Sequence, residues 1–458
     1  MVLIKPINPS TGEIYGELEE TSDSEIRDKV LIAKEDKDWK NVSFEKRAEI
    51  ISILVNLLAE NKESLARVMA CEIGKPVKAG KHEIELAGKR ILDYCNLTPR
   101  FISDEVLFDV AAEKNVMVFE PLGTVAVISP WNAPIFVPLA TIIPALLCGN
   151  NVIWKPSEYS IFSGLELNKL FDFLKNFGFP KNTFQIIIGA KDVGRKLVES
   201  EINMIALTGS VKAGQEIIRN SAEKMHRILL ELGGKDPAIV LKDANIEATT
   251  KAIVNASTMY TGQVCFGVER VYCDSSIYEE FAARCVEESL KLIVGDPLDE
   301  YTDIGPFAVK FQFERVLEHI RDSLEKGASL LCGGEKIGFD GYFMRPGVIV
   351  NVNHKMKIMK EETFGPITPI MPFKDIEEAI KLANDSEYGL TASIWTSDLR
   401  KGEEIARRIE AGTVEVNRHG MSKAGCPWGG YKKSGIGRIY SKEGIRGFCN
   451  IKHVWIAK

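Results

Sequence analysis

The chain has 458 residues, 45% of them apolar, which is long enough for two or three domains that each bury a core. Its 58 Lys and Arg residues against 64 Asp and Glu residues leave a net charge of −6, which argues against nucleic acid and anionic membranes as partners. The nine cysteines form no Cys-x-x-Cys pair and no zinc-binding spacing. We therefore expect a reduced, cytoplasmic protein without a metal site.

The first part of the chain is helical in its periodicity. Residues 23–34 and 43–73 each predict a helix, the second with Ser43 as its N-cap. A stretch without any charged residue then runs from 121 to 154, which is longer than the ~20 residues of a membrane helix. Because five prolines interrupt this stretch, we interpret it as a buried strand, turn, helix and strand and not as a membrane span.

From residue 124 onward, short apolar strands alternate with helical runs. The predicted strands of this first series are 124–128, 152–154, 183–188, 204–207 and 227–230, and the predicted helices are 136–148, 162–177, 191–199 and 211–222. Such alternation predicts right-handed βαβ units and a parallel sheet. Ligands of such a sheet bind beyond the carboxyl ends of its strands, where this chain carries polar residues and glycines.

A second alternating series predicts a second α/β domain. Its predicted strands are 237–241, 270–273, 348–350, 367–373, 391–395 and 413–416. The segments 105–120 and 451–456 are also strand-like but fit neither series. We expect the first of these to form a two-stranded arm, and both to serve in oligomerisation.

Two common nucleotide-binding motifs are missing. The turn from Gly189 to Gly194 resembles a P-loop, but Arg195 and Lys196 stand where a Lys and a Ser or Thr are required. No Gly-x-Gly-x-x-Gly follows a predicted strand. These absences argue against an ATPase and against the most common dinucleotide fingerprint.

Six other motifs occur in order along the chain. They are Ser129-Pro-Trp-Asn132, Trp154-Lys-Pro-Ser-Glu158, Leu230-Glu-Leu-Gly-Gly-Lys-Asp-Pro237, Thr261-Gly-Gln-Val-Cys-Phe-Gly-Val-Glu-Arg270, Glu361-Glu-Thr-Phe-Gly-Pro366 and Pro427-Trp-Gly-Gly-Tyr-Lys-Lys-Ser-Gly435. In these motifs the chain resembles the aldehyde dehydrogenase superfamily over nearly its whole length. Its short length is similar to that of the compact succinate-semialdehyde dehydrogenase branch.

The resemblance implies an aldehyde dehydrogenase-like α/β fold with two parallel-sheet domains and a β-arm. Residues 1–98 and 122–233 would form a dinucleotide-binding domain, and 234–435 a catalytic domain. Residues 99–121 and 436–458 would form the oligomerisation element of a homodimer or homotetramer.

The resemblance also implies a catalytic set of Cys265, Glu231 and Asn132. An aldehyde carbon loses hydride readily only after a thiolate has added to it and produced an alkoxide, so Cys265 would be the nucleophile, with an ordinary pKa of ~8.5. Asn132 and the backbone N–H of Cys265 would donate to the alkoxide. Burial at a strand end would raise the pKa of Glu231 toward that of a base for water.

The implied cofactor is NAD, with NADP possible. Glu158 would accept hydrogen bonds from a ribose diol and repel a 2′-phosphate, while Lys155 would donate to the same diol. Gly209 and Ser210 would open a helix whose amides meet the pyrophosphate. The remaining cofactor contacts that we expect are Ser129, Trp131, Ser157, Gly189, Leu232, Glu362 and Phe364, with Glu362 on the nicotinamide ribose and Phe364 beside it.

The expected substrate is a small aldehyde. Phe266, which follows the nucleophile, and Trp428 are bulkier than the residues that relatives usually carry, so we expect a narrow tunnel. The carboxylate of a semialdehyde would need a cation at the tunnel mouth, and Arg418, His419 and Lys423 precede Trp428 in that region.

These residues predict the NAD(P)-dependent oxidation of a small semialdehyde, such as succinate semialdehyde, through a cysteine thioester. A CoA-acylating enzyme or acyl-CoA reductase stays open, although many such relatives lack the equivalent of Glu231. A non-catalytic binding or structural oligomer is a third reading. Such a protein would typically have lost Cys265 or Glu231, and both are present.

Overall fold

The computed structural model describes residues 2–338, 340–420 and 422–458. The strands of these residues are β1 (Leu3–Ile4), β2 (Leu18–Glu19), β3 (Glu105–Asp109), β4 (Glu113–Pro121), β5 (Thr124–Ile128), β6 (Asn151–Lys155), β7 (Phe184–Ile186), β8 (Met204–Thr208), β9 (Arg227–Glu231), β10 (Asp236–Val240), β11 (Val268–Asp274), β12 (Ser329–Cys332), β13 (Gly347–Val350), β14 (Ile367–Phe373), β15 (Thr391–Trp395), β16 (Thr413–Val416), β17 (Gly435–Ile436) and β18 (Cys449–Ala457).

Helices cover both large sheets. They are α1 (Asp23–Glu35), α2 (Asp38–Asn41), α3 (Phe44–Glu60), α4 (Lys62–Ile73), α5 (Val77–Ile102), α6 (Phe136–Leu147), α7 (Ile161–Leu174), α8 (Lys191–Val198), α9 (Val211–Ser221), α10 (Ile246–Thr258), α11 (Tyr278–Leu290), α12 (Lys310–Glu325), α13 (Lys357–Lys360), α14 (Ile376–Asn384), α15 (Leu399–Ala406) and α16 (Lys442–Arg446).

The first sheet has the strand order β17-β9-β8-β5-β6-β7. Its five strands from the alternating series are parallel, as predicted, and each begins and ends within two residues of its predicted bounds. The short edge strand β17 is antiparallel to β9 and pairs Gly435 with Glu231. The boundary expected at residue 435 therefore falls on a strand that returns to the first sheet.

The second sheet has the order β12-β13-β14-β11-β10-β15-β16. All six predicted strands of the second series are present and parallel, and the unpredicted β12 adds an antiparallel edge. The predicted fold class, two α/β domains built on parallel sheets, is confirmed. The carboxyl ends of both sheets supply the residues of the candidate site.

The strand-like segments outside these series form one small sheet with the order β18-β4-β3. The arm of β3 and β4 is present as expected, and β18 pairs along the whole length of β4, from Cys449 opposite Pro121 to Ala457 opposite Glu113. Phe108 and Trp455 of this sheet are 63% and 68% exposed. Exposed aromatic residues of this kind suit an interface, and the oligomerisation role remains a prediction.

The single helix predicted over residues 43–73 is wrong. Ser43 does cap α3, accepting from the backbone N–H of Lys46. The chain then breaks at Asn61, between α3 and α4, where the side-chain amide donates to the carbonyl of Leu57 at 2.8 Å. A short amide side chain that competes for backbone carbonyls in this way favours a helix end.

The charge-free stretch forms β5, a turn, α6 and β6, as predicted. Pro144 lies inside α6, as the predicted helix over 136–148 implies. A proline at this position leaves the carbonyl of Ala140 without its helical donor. The hydroxyl of Tyr94 on α5 donates to that carbonyl at 2.7 Å and replaces the missing bond. In the described part of the chain, no helix has both the length and the apolar character to cross a membrane.

The longest helix, α5, was not predicted from the sequence. It has 26 residues, and its buried face carries Glu83, Arg90 and Tyr94 among apolar residues. Glu83 accepts from the backbone N–H groups of Ile135 and Phe136 at 2.9 and 3.0 Å. It therefore satisfies the first donors of α6 and fixes the end of the turn that carries Asn132.

Candidate active site

Four of the predicted site segments lie at one edge of the first sheet. Asn132 follows β5, Lys155 ends β6, Gly209 follows β8, and Glu231 ends β9. These four strands are neighbours and parallel, so their carboxyl ends lie side by side. The predicted nucleophile comes to the same place from the second domain, in the turn between α10 and β11.

That turn is an unusual piece of backbone. Tyr260, Thr261 and Gly262 all have positive φ, at 50°, 62° and 71°. A Cβ on Gly262 would overlap the backbone of Gly365, so a glycine is required for the turn to pack against the Glu361-to-Pro366 loop. Cys265, two residues after Gln263, is partly exposed.

Two adjacent glycines bring the halves of the site together. A Cβ on Gly234 would stand 2.5 Å from the backbone oxygen of Cys265, and a Cβ on Gly233 would overlap the carboxylate of Glu362. The backbone N–H of Gly234 also donates to Glu362 at 3.0 Å. The Gly-Gly pair after Glu231 therefore makes room for the nucleophile's turn on one side and for Glu362 on the other.

Glu231 has a buried carboxyl at the end of β9. It is 6% exposed, and neither side-chain oxygen has a hydrogen-bond partner among the described residues. Burial raises its pKa well above the ordinary value, against a weaker opposing effect of Arg438. A Cβ on Gly429 would lie 3.0 Å from Oε1, so the loop after Trp428 closes over this carboxyl. A carboxylate with a raised pKa is a suitable proton acceptor near neutral pH.

Cys265 differs from its sequence-based expectation. Burial raises the pKa of its thiol, and the carboxyl groups of Asp236, Glu231 and Glu362 raise it further. This differs from the expectation of a thiol with an ordinary pKa, because burial and the neighbouring carboxyl groups disfavour the thiolate. A neutral thiol needs a proton acceptor when it attacks, and Glu231 is a nearby group of suitable chemistry.

The amide of Asn132 is oriented by the nucleophile's own turn. Its Nδ2 donates to the backbone carbonyl of Gln263 at 2.8 Å. An NH₂ group has two donors, so the second remains for an oxygen bound beside Cys265. Next to Asn132, the ring of Trp131 meets Phe364 edge to face, with centroids 5.7 Å apart.

A buried ion pair that the sequence analysis missed supports the Glu362 loop. Lys235 at the start of β10 lies 2.6 Å from Glu269 on β11, and both are almost fully buried. Glu269 accepts from the backbone N–H groups of Thr363 and Phe364 at 2.7 Å each. This pair holds Phe364 at its positive φ of 53°. Charged residues at the ends of otherwise apolar strands were the sequence signal.

The predicted adenosine-side residues surround the end of β6. Lys155 is 4% exposed, and its Nζ lies 3.8 Å from the partly exposed carboxylate of Glu158. Burial lowers the pKa of Lys155, and Glu158 opposes this change. Ser129 accepts from the indole of Trp154 at 2.9 Å, and the hydroxyl of Ser157 accepts from the Tyr159 N–H at 3.3 Å.

The predicted pyrophosphate contact needs one correction. The N–H of Gly209 donates to the carbonyl of Glu231 at 3.0 Å, so it is not available as an anion donor. Ser210 caps α9, with its side chain accepting from the N–H of Ala213. Leu232 is buried, and its N–H donates to Ser434 at 2.9 Å. Gly189 makes a tight turn, since a Cβ there would overlap Val193.

On the substrate side, an aromatic wall starts beside the nucleophile. Phe266 and Trp428 meet edge to face at 5.8 Å between centroids, and Trp428 lies 6.4 Å from Tyr440. Lys423 is exposed and lines a surface cavity together with Trp428. This arrangement fits the expected narrow passage, and the substrate role of these residues remains a proposal.

Two of the three expected cations are already committed to other partners. Arg418 lies 3.0 Å from the carboxylate of Glu415. His419 bonds the carbonyl of Phe266 at 2.6 Å and the hydroxyl of Ser393 at 3.0 Å, and burial lowers its pKa to about 4. His419 is therefore a neutral positioning residue at neutral pH, contrary to the expectation that it offers a cation.

Comparison with known proteins gives consistent results. The aldehyde dehydrogenase family matches residues 2–454. The succinate semialdehyde dehydrogenase Sad of Escherichia coli K12, described as using NAD(P)+, is 34% identical, with 98% of this chain and 97% of the relative covered. A solved E. coli NADP-dependent enzyme superposes with a TM-score of 0.96 at 32% identity, covering 100% of this chain and 95% of the other. Betaine aldehyde dehydrogenase of Staphylococcus aureus with NAD+ gives a TM-score of 0.94 at 30% identity, covering 99% and 91%.

Proposed function

Because the chain belongs to the aldehyde dehydrogenase family, we propose that it oxidises a small semialdehyde, such as succinate semialdehyde, to the carboxylic acid through a thioester on Cys265, with NAD or NADP as cofactor. The observation that carries this proposal is the convergence of Cys265 with Glu231, whose buried carboxyl has no hydrogen-bond partner among the described residues. Chemically, that is a nucleophile next to a base with a raised pKa.

In the first step, the thiol of Cys265 loses its proton to Glu231, directly or through water, and the sulfur bonds to the aldehyde carbon. The carbonyl oxygen becomes an alkoxide, to which the free N–H of Asn132 donates. A well-aimed donor of this kind commonly lowers the barrier by ~3–4 kcal/mol. The bond from Asn132 to Gln263 keeps the amide aligned before the substrate arrives.

In the second half, the thioester on Cys265 is opened by water. Glu231 first releases the thiol proton to solvent. It then takes a proton from the water as the new C–O bond forms, the C–S bond breaks to release the acid, and Glu231 returns this proton to the thiolate of Cys265. The raised pKa of Glu231 suits this proton transfer near neutral pH. Glu231 therefore serves both halves of the reaction.

The residues present fit a nicotinamide dinucleotide. When bound, NAD(P)+ supplies the hydride acceptor. Lys155 and Glu158, a donor and an acceptor 3.8 Å apart, suit the two hydroxyls of a ribose. Gly233 leaves space beside the carboxylate of Glu362 that any larger side chain would fill, which suits a second ribose held against Glu362. The description of the relative Sad with NAD(P)+ supports the same cofactor class.

The test is a panel of aldehydes assayed with NAD and with NADP, each with and without free CoA. The proposal expects reduced cofactor to form with succinate semialdehyde, the free carboxylic acid as product, and a rate that CoA barely changes. An acyl-CoA product formed only in the presence of CoA would contradict the hydrolytic step. No reduction of either cofactor with any aldehyde would contradict the proposed oxidation itself.

A further inference from the structure

Arg90 lies on the buried face of α5 and has no role in the mechanism above. It is 8% exposed, and its Nη2 donates to the backbone oxygen and hydroxyl of Ser422 at 3.2 and 2.9 Å. Its Nε and Nη1 are buried without a hydrogen-bond partner in the part of the chain that the structure describes. The carboxylate of Asp93, whose side chain is 44% exposed, lies 3.8 Å from Nη1.

Arg90 packs against the aromatic wall of the candidate site. Its guanidinium lies 4.2 Å from the centroid of the Tyr440 ring, and Tyr440 continues the aromatic wall through Trp428 to Phe266. Burial raises the pKa of the Tyr440 hydroxyl, and Arg90 opposes this change. Glu231 and Cys265 raise it further, so the hydroxyl is within electrostatic range of the catalytic pair. Arg90 is therefore at the far end of a row of rings that begins next to the nucleophile.

Two nitrogens of this group, with three N–H donors between them, have no hydrogen-bond partner among the described residues, which is costly. Arginine keeps its charge at all ordinary pH values, and a buried polar N–H without an acceptor is unfavourable. Ser422 accepts from Nη2 and fixes that arm of the planar, fork-shaped guanidinium. A carboxylate is the ligand whose two oxygens match such a fork, with short, charge-assisted bonds.

From this geometry we propose that Arg90 binds the distal carboxylate of the aldehyde substrate. The inference rests on the proposed aldehyde oxidation and assigns its specificity to α5 instead of the Arg418-to-Lys423 segment. The substrate class is a short-chain ω-oxo acid, whose aldehyde reaches Cys265 while its carboxylate reaches the guanidinium past Trp428 and Tyr440. Exposed Lys423, next to Ser422, attracts the anion at the entrance without binding it tightly.

The experiment compares kcat/KM for succinate semialdehyde with kcat/KM for butanal, a neutral aldehyde with the same number of carbons. Arg90→Met keeps the length of the side chain but removes every donor. We expect the ratio of the two constants to fall about 10- to 100-fold, mainly through the KM for the semialdehyde, as expected for lost bonds to a charged group. Butyrate, which carries the carboxylate but no aldehyde, should lose its inhibition of butanal oxidation in the same variant.

The matched control is Arg47→Met. Arg47 is also 8% exposed and also has a buried Nε without a partner among the described residues, but it lies on α3 and contacts Val42. This control should leave the ratio within threefold of wild type. If Arg90→Met does not fold, the same ratio of kcat/KM values is measured for Arg90→Lys and Ser422→Ala. We expect a smaller fall in this ratio for each of these variants.

The outcomes separate the two proposals. If the wild type oxidises butanal and succinate semialdehyde equally well, the proposed aldehyde oxidation stands but the proposed binding of the carboxylate by Arg90 is wrong. A wild type that prefers the semialdehyde, with an unchanged ratio in Arg90→Met and a fall in Lys423→Met, also overturns it. A phosphate-bearing aldehyde preferred over the semialdehyde would show that the fork binds an anion other than carboxylate, and would overturn the substrate class.

Discussion

The side-chain amide of Asn132 donates to the backbone carbonyl of Gln263 at 2.8 Å. This bond joins the turn after β5 of the first domain to the turn that carries Cys265 in the second. Because this bond ties the Asn132 amide to the backbone next to Cys265, the amide stays oriented relative to the nucleophile if the two domains shift slightly. Asn132 thus contributes to the alignment of the site as well as to its electrostatics.

Replacing Asn132 with Ala should lower kcat about 10²–10³-fold, because the alkoxide loses a donor and the Cys265 turn loses its bond to the first domain. The measurement is steady-state kinetics with reduced cofactor as readout. Asn151→Ala is the control, since that buried amide donates to Ala33 and Asp36 away from the site. Equal losses of kcat in both variants would contradict a catalytic role for Asn132.

Replacing Cys265 with Ala should abolish turnover while cofactor binding stays near normal, since the nucleophile is lost and the predicted cofactor residues lie on other strands. Cofactor fluorescence and steady-state assays measure the two effects. Cys273→Ala, a change at a fully buried cysteine on β11, should lower stability but keep activity. Turnover of Cys265→Ala within tenfold of wild type would show that another residue carries the covalent step.

Replacing Glu231 with Gln should trap the thioester. The amide cannot take a proton from water, so we expect turnover slowed ~10²–10⁴-fold and an acyl adduct visible by intact-protein mass. Because Glu231 also accepts the thiol proton in the proposed mechanism, acylation should need a higher pH than in wild type. Glu72→Gln is the control, because Glu72 is equally buried but caps α7. If CoA restores normal turnover and wild type forms acyl-CoA, the acylating alternative replaces the hydrolytic one.

The same substitution should stabilise the protein at alkaline pH. The folded-state pKa of Glu231 is raised, so the folded protein holds this proton above the pH at which the unfolded chain has lost it. The contribution of Glu231 to the free energy of unfolding is therefore fully present below the pKa of the unfolded chain, ~4.3. It is lost as the pH rises through the higher pKa of the folded protein. We expect Glu231→Gln to raise Tm at pH 8 and to raise it less at pH 4.5, as measured by thermal unfolding at the two pH values. A lower Tm at pH 8 than that of wild type would mean that the carboxylate has a stabilising partner.

Replacing Glu158 with Ser should shift cofactor preference toward NADP. The carboxylate next to Lys155 repels a 2′-phosphate, and its removal leaves Lys155 free to attract one. The readout is the ratio of kcat/KM for NAD and NADP. Glu166→Ser on the surface of α7 removes the same charge at a distance from this pair. If the wild type already prefers NADP, Glu158 does not contact the adenosine ribose and this prediction is wrong.

Much of the fold could be predicted because its strands and helices show local patterns of apolar and turn residues. Strands β5, β14, β15 and β16 begin and end at their predicted residues, since short apolar runs between turn residues have few alternatives. Helix α5 escaped prediction although Ile84, Ala87, Ile91 and Tyr94 repeat at helical spacing on its buried face. Arg90 shares that face, so recognising the helix would have indicated a buried cation.

The sequence by itself determined the order of the motifs, the alternation of strands and helices, and the identity of Cys265, Glu231 and Asn132 as candidates. Tertiary structure alone decided that Glu231 is buried with no hydrogen-bond partner in the described part of the chain. It likewise decided that the N–H of Gly209 is already bonded and that His419 is neutral. It also decided that Arg90 meets Ser422 from the far end of the chain. The physical reason is that a pattern along the chain reports on neighbours within a few residues. The charge, donor or space that a site offers depends on groups that packing brings from hundreds of residues away.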